Sequence, residues 1–464
     1  MSESNPKILF SNQSSDLHGK VVVPGDKSIS HRAIMFGSIA IGETRIQGLL
    51  ESEDTIKTLE AMRSLGVNIK YNNDAKEDCW IINGRGVGGL LEPNNVIDMG
   101  NAGTGSRLLL GLLSGYDFKT TITGDSSLRT RPMNRVMQPL YEMGSRFEAR
   151  DGGLLPITVK GSFNLVPINY TLPVPSAQVK SSILLAGLHT RGETTVIESV
   201  KTRDHTEKML HHFGAQITSE PYKKINGSNA ITIKGLEELV ATNVLVPGDP
   251  SSAAFLVVAA LISEKSEIVL ENVGLNPRRI GIFHILQKMG ADLTIEKSEG
   301  LSAEPIGKIT ARHSNLIGID VLEKEASFLI DEFPILSIAA ACANGKTVMK
   351  GLAELRYKES DRLSSICEGL NICGVNAKID GDNLIIFGSS GKVKGGGLVS
   401  THFDHRIAMA FLILGFNSIS PIGVDDISSI STSYPSFFAD MGHIGANLTS
   451  VDPSQIDNFL NKKY

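Results

Sequence analysis

Cysteine, long apolar runs and excess positive charge are all scarce in this chain. Its 464 residues include four cysteines, Cys79, Cys342, Cys367 and Cys373, with no CxxC pair among them. That excludes a disulfide framework and the usual zinc spacings, and it points to reduced thiols in a cytoplasmic protein. The longest apolar stretch, AAFLVVAALI at 253–262, is too short to span a bilayer. The opening residues, MSESNPKILFSNQSSDL, are polar where a secretory leader needs an apolar core. A net charge of −5 speaks against a nucleic-acid surface. The 41% hydrophobic and 20% charged content is that of an ordinary globular protein, and the length suggests two or three domains.

What is present is repetition. LEAMRSLGVNI, YEMGSRFEA, LHHFGAQIT, LQKMGADLT, GLNICGVNA and DMGHIGANL each read as an amphipathic helix end, a glycine, then a β-prone run. The glycines, Gly66, Gly144, Gly214, Gly290, Gly374 and Gly445, recur 70 to 84 residues apart. Glycine there fits a left-handed helix C-cap. A strand-like segment such as GETRIQGLL or GETTVIESV stands before each phrase. Before that comes a helix apolar nearly all round: SISHRAIMFGSIA, TGSRLLLGLL, VKSSILLAGL, PSSAAFLVVAALI, FPILSIAAACA and DHRIAMAFLIL. Helices of that kind are buried. The unit is therefore buried helix, strand, amphipathic helix, strand, repeated six times. Two domains of three units each follow, with NVLVPGDPSS near residue 246 as the crossing point.

The starts of the buried helices share a chemistry. PGDKSISHR sets Asp26 at an N-cap beside Lys27 and Arg32. NAGTGSR opens on small residues that expose backbone N–H groups, and Asp249 before Pro250 makes a cap and first-turn pair. FDHR places Asp404 before His405 and Arg406. YKESDRLSSI, residues 357–366, reads as a further helix start whose apolar stripe of Leu363, Ile366 and Leu370 runs back through Glu359. Lys358 and Arg362 would then sit in a first turn, where the dipole disfavours cations. Cations gathered at helix N-termini imply anions among them, so the expected site holds phosphates and carboxylates.

The ordered motifs GDKSISHR, GNAGTGSR, GDSSLRTRPM, SAQVKSS, TRDHTEKM, IDEFP, RYKESDRL and DHRIAM closely resemble the 5-enolpyruvylshikimate-3-phosphate synthases, in particular their second subgroup. The resemblance implies an α/β enolpyruvyl transferase fold of two domains closing over a cleft. Each domain would hold three repeats of a βαβαββ unit around buried helices. One domain would be residues 24–245, the other residues 1–23 with 246–464. The implied reaction moves the enolpyruvyl group of phosphoenolpyruvate to the 5-hydroxyl of 3-phosphoshikimate and releases phosphate through a tetrahedral intermediate. That is the 3-phosphoshikimate 1-carboxyvinyltransferase step of the shikimate pathway, which leads to chorismate and the aromatic amino acids.

By the same resemblance Asp331 is the base that takes the hydroxyl proton and also contacts substrate. Glu359 is the proton donor to the enol carbon, with Lys27 as a second candidate. Phosphoenolpyruvate would meet Lys27, Gly103, Arg131, Lys358, Arg362 and Arg406. The 3-phosphoshikimate would meet Ser28, Arg32, Ser176, Ala177, Gln178 and Arg203. Neither cofactor nor metal is implied, and a monomer is expected. Two departures bear on the site. Many members have a second serine where this chain has Ala177, and a lysine near the C-terminus where it has Thr432 and Ser433. Glyphosate competes with phosphoenolpyruvate in this family, and tolerant members of the subgroup carry alanine where this chain has Gly103.

Each motif taken singly has a plainer reading. Glu359 and Arg362 suit a surface i, i+3 pair, Asp331 an N-cap, and NAGTGS a glycine turn. GRGVGG at 84–89 matches a dinucleotide fingerprint, but LLEPNN follows it instead of a helix, so it reads as a turn. HFDH at 402–405 lacks partner ligands for a metal, and His211 and His212 read as surface residues. Two other functions are open. A UDP-N-acetylglucosamine enolpyruvyl transferase typically has a reactive cysteine in its N-terminal domain, where this chain has Cys79 in DCWII, a buried-strand context. A non-catalytic metabolite sensor would have no need of both Asp331 and Glu359.

Overall fold

The computed structural model describes residues 8–74, 77–298, 303–326 and 328–451. The chain falls into two compact units. The inserted unit is Gly25–Pro247, with Glu304 belonging to it by contacts; the flanking unit takes the residues up to Pro24 and those from Gly248 onward.

Six helices that are apolar nearly all round form the two cores. Lys27–Ile39, Gly103–Leu113 and Ala177–Gly187 lie in the inserted unit. Pro250–Ile262, Phe333–Cys342 and His405–Gly415 lie in the flanking unit and pack on one another. Every residue of Pro250–Ile262 and of Phe333–Cys342 is buried. In the inserted unit the helices come close enough that a Cβ on Gly111 would stand 2.3 Å from the Ser182 carbonyl oxygen, so only glycine fits there.

Around each core stand three sheets built on one four-stranded topology: a short strand runs parallel to its neighbour, and two antiparallel strands follow. One sheet of the inserted unit has a fifth strand, and the flanking unit adds a two-stranded sheet. Ile97–Asp98, Lys119–Thr123, Leu154–Lys160 and Arg146–Arg150 show the pattern in order. An amphipathic helix joins the second strand to the hairpin, as Asn134–Met143 does here. The repeat is thus βαβαββ, two strands richer than the four-element unit that local pattern suggests. Both missing strands have a physical reason. The parallel edge strands are two to five residues long, too short to show a period. The other is the return strand of a hairpin, such as Glu77–Arg85.

Two edge strands come from distant chain. His18–Val22 pairs in parallel with Glu267–Gly274 of the flanking unit, and Val244–Leu245 with Ala40–Gln47 of the inserted unit. Leu9–Ser11 is the third strand of a flanking-unit sheet, between Ile422–Val424 and Leu448–Ser450. The six repeat glycines all adopt the left-handed conformation, with φ from +79° to +112°. Among the described residues no helix is long and apolar enough to cross a membrane. Cys79 is buried in its strand, and no helix follows the turn after Gly84. No group of three or more His, Cys, Asp or Glu suited to a metal occurs among the described residues.

Candidate active site

In the flanking unit the charged residues converge on one guanidinium. Arg362 is fully buried, and its Nε donates to Asp404 Oδ2 at 2.7 Å. Nη1 donates to Asp331 Oδ1 at 3.3 Å, and Nη2 to Glu359 Oε2 at 2.5 Å. Burial alone would favour the neutral form, but the charges of Asp404, Glu359 and Asp331 outweigh it and push the Arg362 pKa well above its usual value. Lys358 Nζ also reaches Asp331 Oδ1 at 3.3 Å. Arg406 donates to the Asp331 carbonyl oxygen at 2.8 Å, and its side chain is largely buried.

This geometry corrects the reading of residues 357–366. The helix begins at Arg362, not at Tyr357, with Asp361 as N-cap accepting the Ser364 amide at 3.1 Å. A 3-10 turn, Ala353–Tyr357, precedes it, so Lys358 and Glu359 lie on a loop. Of the two cations expected in the first turn, Arg362 stands there and Lys358 lies before it. Asp331 is not an N-cap either; Glu332 holds that position on Phe333–Cys342.

Helix starts in this unit are stitched together. Asp249 caps Pro250–Ile262 and accepts from Arg279 at 2.8 Å. The Ser251 hydroxyl donates to Glu332. Asp404 caps His405–Gly415 through the Arg406 amide while holding Arg362. Asp404 was legible only as a cap; its second role depends on a partner 42 residues away. Ser433 hydrogen-bonds His405 Nε2 at 3.0 Å.

The inserted unit gathers another set at its helix starts. Lys27 opens Lys27–Ile39 and pairs with buried Asp54 at 2.8 Å, a support that sequence reasoning did not single out. Ser28 supplies a carbonyl to Arg32 Nη1. Arg32 is buried, donating to Thr206 Oγ1 at 2.7 Å and Ser181 Oγ at 2.9 Å. His31, one turn after Lys27, lies 2.8 Å from Thr58 Oγ1. Burial first, then the charges of Lys27 and Arg32, lower its pKa from 6.5 to about 3.

Gly103 begins its helix, and a Cβ there would sit 3.0 Å from Arg107 Nη1 and 3.1 Å from Arg131 Nη1. Arg131 is oriented by Asn101 Oδ1 at 2.7 Å and Ser127 Oγ at 3.1 Å. Ser176 caps Ala177–Gly187, whose first residue is Ala177. Gln178 Nε2 donates to Thr104 Oγ1 at 2.9 Å, tying the second and third helix starts together. Arg203 is half-buried in the loop before His205–His212.

Residues 11–441 match the family described as EPSP synthase (3-phosphoshikimate 1-carboxyvinyltransferase). The chain belongs to that family. It is 51% identical over 447 residues to the 3-phosphoshikimate 1-carboxyvinyltransferase of Paramagnetospirillum magneticum, covering 96% of this chain and 99% of that one. It is 50% identical to the one from Rhodospirillum rubrum over the same shares. The EPSP synthase structure from Acinetobacter baumannii is similar with a TM-score of 0.84 at 43% identity, over 96% of this chain and all of that one. The enolpyruvyl transferase NikO from Streptomyces tendae shares the fold, with a TM-score of 0.73 at 16% identity over 97% of this chain.

Proposed function

We propose that this chain transfers the enolpyruvyl group of phosphoenolpyruvate to the 5-hydroxyl of 3-phosphoshikimate, with Asp331 as base and the helix starts of the inserted unit binding the substrate anions. The observation that carries the reading is a pair of carboxylates, Asp331 and Glu359, held 3.3 and 2.5 Å from one buried guanidinium. Anion binding alone calls for cations; two fixed carboxylates beside them suit proton transfer.

In the addition step Asp331 takes the 5-hydroxyl proton as that oxygen bonds to C2 of phosphoenolpyruvate. The methylene carbon gains a proton from Glu359 or Lys27. In the elimination step the methyl group returns a proton, the C2–O bond to phosphate breaks, and the double bond re-forms. Lys27, Lys358, Arg131, Arg362 and Arg406 stabilise the carboxylate and phosphate of the donor, with the planar guanidiniums suited to bidentate contact. Gly103 leaves room for the donor beside Arg131. Ser28, Arg32, Ser176, Ala177, Gln178 and Arg203 hold 3-phosphoshikimate, the backbone amide of Ala177 serving where other members have a serine hydroxyl. No cofactor enters these steps. The enzyme acts as a cytoplasmic monomer on these two metabolites and not on nucleic acid.

Phosphate release tests the reading. Mixing the protein with phosphoenolpyruvate and 3-phosphoshikimate should release phosphate, whereas UDP-N-acetylglucosamine as acceptor should not. Release with the nucleotide sugar would select the rival transferase, and release with neither would leave a binding protein.

A further inference from the structure

An ion cluster lies behind the residues assigned to 3-phosphoshikimate. Lys180, in Ala177–Gly187, is fully buried, with Nζ 2.6 Å from Glu207 Oε1 and 3.0 Å from Glu198 Oε2. Both glutamates are buried. Glu198 ends the strand Glu193–Glu198, and Glu207 lies in the first turn of His205–His212. Loop 199–204 runs between them. Glu198 Oε2 also accepts from the Thr202 amide at 3.1 Å and the Thr202 hydroxyl at 2.8 Å. One carboxylate oxygen thus joins the lysine to both donors of Thr202, and the next residue is Arg203.

The other neighbours of Lys180 are also assigned to the substrate. Gln178 precedes it by two residues, and Ser176 caps the same helix. Ser181, the residue after it, lies 2.7 Å from Thr206 Oγ1, and both hydroxyls accept from Arg32. An apolar contact would join two helices at less desolvation penalty than an ammonium with two carboxylates. Charged groups add fixed direction: each donor has one place to stand.

We propose that Lys180, with Glu198 and Glu207, is a positioning cluster that fixes Arg203 relative to the Ser176–Gln178 helix start and so sets the pocket for the phosphate of 3-phosphoshikimate. The inference rests on the assignment of those residues to that substrate. Lys180 acts through Arg203 and the helix start and does not itself touch the ligand.

The test measures 3-phosphoshikimate affinity by calorimetry, both Michaelis constants, and thermal unfolding. Lys180→Met should weaken 3-phosphoshikimate about tenfold or more, while the phosphoenolpyruvate constant stays within about twofold. Thr202→Val, which removes one donor without changing charge, should weaken it about threefold or more, and Thr202→Ser should restore it. If Lys180→Met does not fold, the Thr202 pair decides. Folded variants with unchanged 3-phosphoshikimate affinity, or with equal losses for both substrates, would overturn the inference. Arg203→Ala is the control: if it leaves 3-phosphoshikimate affinity unchanged, the site assignment itself fails. If it weakens binding and the cluster variants do not, the positioning role alone fails.

Discussion

Arg362 of the flanking unit and Arg32 of the inserted unit are both buried guanidiniums, and they are held by different chemistry. Arg362 sits among the carboxylates of Asp331, Glu359 and Asp404. Arg32 is oriented by the hydroxyls of Thr206 and Ser181, and Arg131 of the same unit by an amide oxygen and a hydroxyl. Neutral acceptors aim a guanidinium without themselves compensating its charge. Carboxylates take up the charge and are held in place by it, which suits the placing of proton-transfer groups. The two guanidiniums thus show two kinds of polar support, and the inserted unit has the second kind as well, in Lys27 with Asp54 and in Lys180 with Glu198 and Glu207.

Breaking each support should show the difference. Arg362→Met takes the buried cation from Asp404, Glu359 and Asp331, of which Asp331 keeps Lys358, and should lower unfolding free energy by about 3–5 kcal/mol. Arg32→Met forfeits hydrogen bonds to neutral partners and should cost less, about 1–3 kcal/mol. Equal losses in denaturant titrations would erase the distinction.

Acid sharpens the comparison next. His31 titrates near 6.5 in an unfolded chain and at about 3 in the inserted unit. Between those values the unfolded state binds the proton and the native state does not. The stability is therefore complete above pH 6.5 and falls as the pH drops towards 3, by up to about 1.4 kcal/mol per pH unit. Burial likewise lowers His189 to about 4, adding to the slope in the same unit. His31→Gln should flatten the unfolding free energy against pH in this window; an unchanged slope would place the acid sensitivity elsewhere.

Gly103→Ala is the gentlest probe. Its methyl would press on the flexible ends of Arg107 and Arg131, which must shift by a few tenths of an ångström. Glyphosate inhibition should weaken about tenfold, or about 1.4 kcal/mol, with turnover within a few-fold. A variant no less inhibited would show that this position does not shape the donor site.

Much of this fold could be read locally. Helices such as Pro250–Ile262 are buried along their whole length, and the glycine after each amphipathic helix stands at positive φ as a C-cap glycine does. Strands of two residues, such as Ile97–Asp98, carry no period to read. The pairing of Leu9–Ser11 with Ile422–Val424 depends on contacts over 400 residues apart. The site divides in the same way. Ordered motifs pointed to Asp331, Glu359, Arg362 and Arg406, which come together around one guanidinium and one carbonyl. Asp54 was not singled out and Asp404 was placed only at a helix start, because their ionic partners come from other segments.

Asp331→Asn tests the division of labour most directly, with turnover and 3-phosphoshikimate affinity measured on the same preparation. Turnover should fall by about two to four orders of magnitude, the usual worth of a positioned acid or base. Affinity should stay within about threefold, since the residues assigned to that ligand's phosphate belong to the inserted unit. Near-normal turnover, or a loss of affinity as large as the loss of turnover, would contradict the account.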